Sequence, residues 1–115
     1  IWESANIASN RKLVNLFAII DWNKSAQQLM PLENLKDRWK SFGWKVYVIN
    51  GHSRKDFNYM NKIINLKKNK KPIVFLANTI KGKGVSFLEG HGKWHHKIPN
   101  DKELKIIKEE LKIKL

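Results

Sequence analysis

Three short stretches of this chain are dominated by β-branched, aromatic and aliphatic residues: Leu16-Phe17-Ala18-Ile19-Ile20, Trp44-Lys45-Val46-Tyr47-Val48-Ile49 and Ile73-Val74-Phe75-Leu76-Ala77. Runs of this length and composition read as strands. The first and third have no polar alternation at all, the pattern of strands buried on both faces. Around them, apolar positions recur with helical period. Trp2, Ala5, Ala8 and Leu13 mark a first helix from Trp2 to about Lys12, with Arg11 and Lys12 where cations suit the helix dipole. Pro31 suits the first turn of a second helix, in which Leu32, Leu35, Trp39 and Phe42 form a stripe closed by Gly43. Ser53 can cap a third helix carrying Phe57, Met60, Ile63 and Ile64, and Asn100 with Glu103 makes a capping-box pattern ahead of Leu104, Ile107 and Leu111. Strands alternating with helices predict an α/β fold around a doubly wound parallel sheet. No internal repeat divides the chain, so residues 1–115 read as one domain or part of one.

In such folds ligands sit beyond the carboxyl ends of the strands, which singles out Asp21 to Met30 and Thr79 to Pro99. Asp21 and Asn23 offer hard oxygens suited to Mg²⁺ shared with a diphosphate. The same two residues also suit a plain Asx turn at the end of the strand. In the second segment, Lys81-Gly82-Lys83-Gly84 joins charge to glycines that permit close backbone approach, a combination suited to phosphate, although basic turns of this kind are common. It matches neither the G-x-x-x-x-G-K-[ST] phosphate loop nor the G-x-G-x-x-G dinucleotide fingerprint. His91, His95 and His96 follow closely, but no Cys and no well-placed carboxylate pair completes a zinc site. A histidine that contacts an anionic ligand or moves protons fits better. The second strand ends in its own short turn, Asn50-Gly51-His52.

Composition narrows the function classes. Hydrophobic residues make up 42% and include five Trp and five Phe, which excludes intrinsic disorder. With no Cys there is neither a disulfide framework nor a thiolate metal site. No apolar stretch approaches the roughly 20 residues needed to span a bilayer, so the chain is expected to be cytoplasmic, without a membrane partner. Lys and Arg total 23 against 10 acidic residues, a net charge of +13, which raises a basic nucleic-acid-binding module as an alternative. Against it, the lysines are distributed over every segment and form no stripe, while the aromatics occupy core positions. The chain opens at Ile1, without an initiator Met and already inside a helical pattern, so an upstream portion is expected.

Taken together, these residues resemble the N-terminal half of transketolases, particularly the separately encoded N-terminal subunit of bacteria. The likeness covers the whole chain. It is carried by Trp2-Glu3, Leu13-Val14-Asn15-Leu16, Ile20-Asp21-Trp22-Asn23, Leu35-Lys36-Asp37-Arg38-Trp39, Phe42-Gly43-Trp44 and Asn50-Gly51-His52. It continues through Thr79-Ile80-Lys81-Gly82-Lys83-Gly84-Val85-Ser86-Phe87, Trp94-His95 with Lys97, and Pro99-Asn100-Asp101. Two departures stand out: the segment from Lys24 to Pro31 is shorter than the family loop and lacks its glycine, and His96 replaces a glycine.

The resemblance implies a domain that grips the diphosphate of thiamine diphosphate through Mg²⁺ or Ca²⁺. Asn23 matches the closing Asn of the family's cofactor motif, whose side-chain oxygen ligates the metal, and Ser25 matches the position that ligates through its backbone carbonyl. The opening Gly-Asp-Gly of that motif falls upstream of Ile1, leaving residues 1–115 as the C-terminal part of the domain. His95 matches the histidine that reaches the diphosphate and the substrate, and Lys81 lies where the family chain passes the cofactor. Glu3 falls where the family has a glutamate in a carboxylate network near the subunit interface. The implied reaction passes a two-carbon unit from a ketose to an aldose, with the carbanion chemistry supplied by the cofactor. The glutamate that activates the aminopyrimidine would come from a C-terminal transketolase subunit, and the implied assembly is a dimer of such heterodimers acting on sugars. On this view the isolated chain binds cofactor poorly, and a truncated product without function is the further alternative.

Overall fold

A computed structural model of the chain describes residues 1–28, 31, 33–66, 68–90, 94 and 96–113, with Gln27 and Gln28 described by their backbone alone. Three strands, β1 (Phe17–Trp22), β2 (Lys45–Asn50) and β3 (Ile73–Asn78), lie parallel in the order β1-β3-β2. Phe17 and Lys45 flank Ile73, and Trp22 and Asn50 flank Asn78, so all three strands finish at one level. Parallel neighbours need crossover connections, and helices supply them. Four helices are described: α1 (Trp2–Asn10), α2 (Leu35–Ser41), α3 (Arg54–Asn65) and α4 (Asp101–Glu110).

The alternation of side chains along β3 sorts the core into two layers. Val74 and Leu76 meet Ala5 and Ala8 of α1, Leu35 and Trp39 of α2, and Trp44. Ile73, Phe75 and Ala77 meet Ile49 of β2 and Met60 and Ile63 of α3. Helices therefore cover both faces of the sheet, as the α/β pattern predicts. On the α1 side the small residues Ala5 and Ala8 admit a ring cluster in which Trp2 stacks on Phe42 at 5.5 Å and Trp39 meets Trp44 edge-on at 4.9 Å. The Trp44 indole N–H donates to the Ala5 carbonyl at 2.9 Å. Gly43 takes φ +83° to end α2, and a Cβ on it would meet Ser9 Oγ at 2.2 Å.

The structure departs from the sequence-based expectation in several places. β1 is not buried on both faces: Ile19 is 56% exposed. Its continuous apolar run occupies an edge of the described sheet, and only Phe17 of β1 packs against the layer that α3 forms over β2 and β3. β1 also runs on to Trp22, because the ladder continues through Asp21 opposite Ala77 and Trp22 opposite Asn78. Asp21 is thus a strand residue, and the turn begins at Asn23. α1 stops at Asn10, short of Lys12, which takes φ +52°. α2 starts at Leu35 behind a left-handed Asn34 rather than at Pro31, and Leu32 lies outside the described residues. α3 and α4 begin where their caps predict, with Ser53 Oγ accepting from the Asp56 N–H and a complete capping box between Asn100 and Glu103. Some of the lysines meet in space: Lys40 and Lys45 join the basic run before β3. Lys40, Lys45, Lys68, Lys70 and Lys71 line one cleft of about 550 Å³ near the amino ends of β2 and β3. No helix among the described residues is long and apolar enough to cross a membrane.

Candidate functional site

The site is built where the three strands end. Beyond β1, Asn23 Oδ1 accepts the Ser25 N–H at 2.9 Å, an Asx turn that leads into a 3₁₀ turn over Ser25–Gln28. Asn23 Nδ2 donates to Asp21 Oδ2 at 3.1 Å. The other Asp21 oxygen accepts from the hydroxyl of Thr79, the residue after β3. Asp21 therefore ties the β1 turn to the β3 loop. From the third side, the Gly51 N–H donates to the Asn78 carbonyl at 2.7 Å, and the Ile80 N–H donates to His52 Nε2 at 2.8 Å. This approach requires glycine, since a Cβ at Gly51 would meet Thr79 Cγ2 at 2.3 Å and the Asn78 carbonyl at 3.1 Å.

Between the loops lies a cleft of about 280 Å³, with Asn23, Lys24 and Ser25 on one wall and Thr79, Ile80, Lys81 and Gly90 on the other. The larger lysine-lined cleft lies near the opposite ends of the strands, and Asn69 is the one lining residue there with a side-chain oxygen. The smaller cleft is lined by side chains with oxygen atoms, Asn23, Ser25 and Thr79, and by two lysines, Lys24 and Lys81.

The glycine-lysine turn divides on inspection. Gly82 and Gly84 take φ +71° and +99°, and a Cβ on Gly82 would meet the Leu88 carbonyl at 2.6 Å. The Gly84 N–H donates to Glu89 Oε1 at 3.0 Å, and Lys83 Nζ pairs with the same oxygen at 3.1 Å. The Gly84 N–H, and after it Lys83, hold the Glu89 carboxyl below the usual carboxylate range. Lys83 and Gly84 thus hold the loop's own fold through Glu89. Lys81 alone of the four lines the cleft, and its carbonyl accepts the Gly90 N–H at 2.9 Å.

His95 and His91 lie outside the described residues; His96 is described and exposed. Among the described residues no group of three or more His, Cys, Asp or Glu side chains gathers as a metal site. Sequence reasoning marked Asn23, Ser25 and Lys81, and the structure brings those three to one cleft. It did not find the links from Asp21 to Thr79 or from His52 to Ile80, which join residues 58 and 28 positions apart. The only local signal was that each of these residues stands at or just after a strand end.

A parallel sheet wound by helices on both faces, with a cleft at the carboxyl ends of its strands, defines an α/β domain of the class that binds ligands at those ends. Residues 1–114 match the family described as the transketolase, thiamine diphosphate binding domain. The chain belongs to that family. It is 42% identical over 104 residues to an apulose-4-phosphate transketolase subunit from Phocaeicola vulgatus, covering 86% of this chain and 37% of that protein. It is 43% identical over 96 residues to the 6-deoxy-6-sulfo-D-fructose transketolase subunit SqwG of a Clostridium species, covering 78% of this chain and 34% of that one. A crystal structure of transketolase from Campylobacter jejuni superposes with a TM-score of 0.84 at 32% identity, over 95% of this chain and 18% of that chain. The chain thus spans between a third and two fifths of the two subunits it matches.

Proposed function

We propose that this chain is the part of a transketolase that holds the diphosphate of thiamine diphosphate and its Mg²⁺ (or Ca²⁺), in a complex that moves a two-carbon ketol unit from a ketose to an aldose. The observation that carries the reading is the cleft in which Asn23, Ser25 and Lys81 meet at the ends of β1 and β3. The donor chemistry fits. Asn23 Oδ1 spends one acceptor site on the Ser25 N–H and retains a second for a hard cation. The bond from Asn23 Nδ2 to Asp21 turns the amide so that its oxygen is the end engaged in the turn. Ser25 would ligate through its carbonyl, for which its side chain is immaterial, and Lys81 would face the anionic end of the cofactor. His95 is assigned to the diphosphate and the reacting sugar on family likeness alone.

When bound, the cofactor supplies a stabilised carbanion. This chain's own part is to fix the diphosphate and orient the cofactor against the partner. The activating glutamate belongs to a C-terminal subunit on this reading, which the naming of the relatives as transketolase subunits supports. The assembly on this reading is a dimer of such heterodimers.

The test is to express the complete reading frame with its partner and measure Mg²⁺-dependent binding of thiamine diphosphate together with ketol transfer. Asn23→Ala should weaken cofactor binding about 10- to 100-fold, the range for loss of a metal-site interaction. Binding unaffected by Asn23→Ala, with no ketol transfer by the wild type, would remove the proposal. The nucleic-acid alternative finds no stacking platform in Trp2, Trp39, Trp44 and Phe75, which are packed in the core layers.

A further inference from the structure

The turn after β2 enters no part of the function proposed above, yet its histidine reaches the cleft's far wall. Asn50 Oδ1 accepts the His52 N–H at 2.9 Å, which sets the turn. Asp56, in the first turn of α3, accepts the Asn50 N–H at 2.7 Å and the Ser53 hydroxyl at 3.1 Å, which fixes the turn to the helix. From this base His52 Nε2 accepts the Ile80 N–H at 2.8 Å. Ile80 stands between Thr79 and Lys81 in the wall that faces Asn23 and Ser25.

We infer that His52 is a positioning residue for the diphosphate cleft: its neutral imidazole holds the Thr79–Lys81 wall in place, and protonation releases that wall. This role rests on the reading of the cleft as the cofactor's diphosphate site. An imidazole nitrogen accepts a hydrogen bond only while it is unprotonated; once both ring nitrogens carry hydrogens, His52 faces the Ile80 N–H donor to donor. No other ordinary side chain makes that change near neutral pH. The facing loop carries charges of both signs: the Glu89 carboxylate, which interacts electrostatically with His52 and is paired to Lys83, and Lys81 beside Ile80. On its own element, Asp56 is occupied by Asn50 and Ser53. The Thr79 hydroxyl on Asp21 is a second, separate anchor for the same wall, so losing the His52 bond loosens the wall without detaching it.

Two substitutions behave differently on this account. His52→Ala removes the acceptor at every pH, whereas His52→Gln offers an amide oxygen that accepts regardless of pH. In the protein expressed from its complete reading frame with its partner, the dissociation constant of thiamine diphosphate with Mg²⁺ is measured at pH 8 and pH 6. His52→Ala should bind about three- to tenfold more weakly than wild type at pH 8, the range for one net hydrogen bond. His52→Gln should match wild type within about twofold at pH 8 and bind about three- to tenfold more tightly than wild type at pH 6. A purely structural role would shift both pH values alike, so a constant ratio of wild type to His52→Gln overturns the inference. Hydrogen exchange of the peptide covering 79–84, compared between variants at equal pH, needs no cofactor and gives a second reading. Faster exchange in His52→Ala supports the inference, and unchanged exchange overturns it. If wild type binds no thiamine diphosphate and Asn23→Ala is without effect, the cofactor reading fails, while the exchange comparison still decides the role of His52.

Discussion

Single residues settle how closely the strand ends can approach. Asn23 could be read from the sequence either as an Asx turn or as a metal ligand, and the structure shows the turn directly, with Ser25 N–H on Oδ1. The two readings are compatible, because an amide oxygen has two acceptor sites and the turn uses one. Gly51 shows the reverse case. Sequence alone presents it as the end of a strand, but its neighbours explain why it is glycine: Thr79 and Asn78 fill the space a side chain would take. Gly51→Ala should therefore destabilise the protein by about 1–3 kcal/mol, the usual cost of overpacking, measured as a shift of the denaturant midpoint. An unchanged midpoint would mean that the β2 turn does not sit against Thr79.

At the scale of elements, α4 is the weakly attached one. It has no buried residue, and Leu104 and Leu111 are 42% and 44% exposed. Its apolar stripe was legible in the sequence; that the stripe stays largely uncovered was not, because coverage depends on which element the tertiary fold brings opposite. A polar clasp joins α4 to the loop after β3: the Ser86 hydroxyl and N–H each donate to the Glu110 carboxylate at 2.6 Å. The Ser86 hydroxyl, then its N–H, hold the Glu110 carboxyl below its ordinary value of 4.5. A lowered folded-state value means that the clasp stabilises the fold above the ordinary carboxylate range and is lost as pH falls through the lowered value. Exchange protection of the Ser86 amide and of α4 should therefore decline as pH drops below about 4.5, the side on which the unfolded carboxyl takes up its proton first. Glu110→Ala should remove that decline and show the low-pH protection already at neutral pH. The helix boundary itself needs no such help, since the Asn100 and Glu103 capping box was legible from spacing and forms as read.

Across the whole molecule, the charge of +13 is unevenly placed. Lys40, Lys45, Lys68, Lys70 and Lys71 converge on one cleft; Lys40 is paired to Asp37 at 3.1 Å, and Lys45 lies over the Tyr47 ring at 5.2 Å. Mutual repulsion there opposes folding and is screened by salt, which acts over a Debye length of about 10 Å at 0.1 M. Thermal melting should rise with ionic strength, and Lys70→Glu should raise the low-salt melting temperature by about 2–4 °C while flattening the salt dependence. A melting temperature that does not respond to either change would place the lysines too far apart to interact. The sequence by itself determined the parallel α/β fold, because the alternation of apolar strands with amphipathic helices and their caps is a local property read within a dozen residues. It also determined the family, and with it Asn23, Ser25 and Lys81 as the residues to watch. Only the tertiary structure decided that β1 lies outermost of the three described strands with Ile19 exposed, that Lys83 and Gly84 bond within their own loop, and that Asp21 and His52 clamp Thr79 and Ile80. Each of these depends on partners 5 to 58 positions away or on the order of strands in the sheet, which hydrophobic periodicity does not encode. The turn at Asn23 thus keeps the place the sequence assigned it, and the structure adds the walls that make it one side of a cleft.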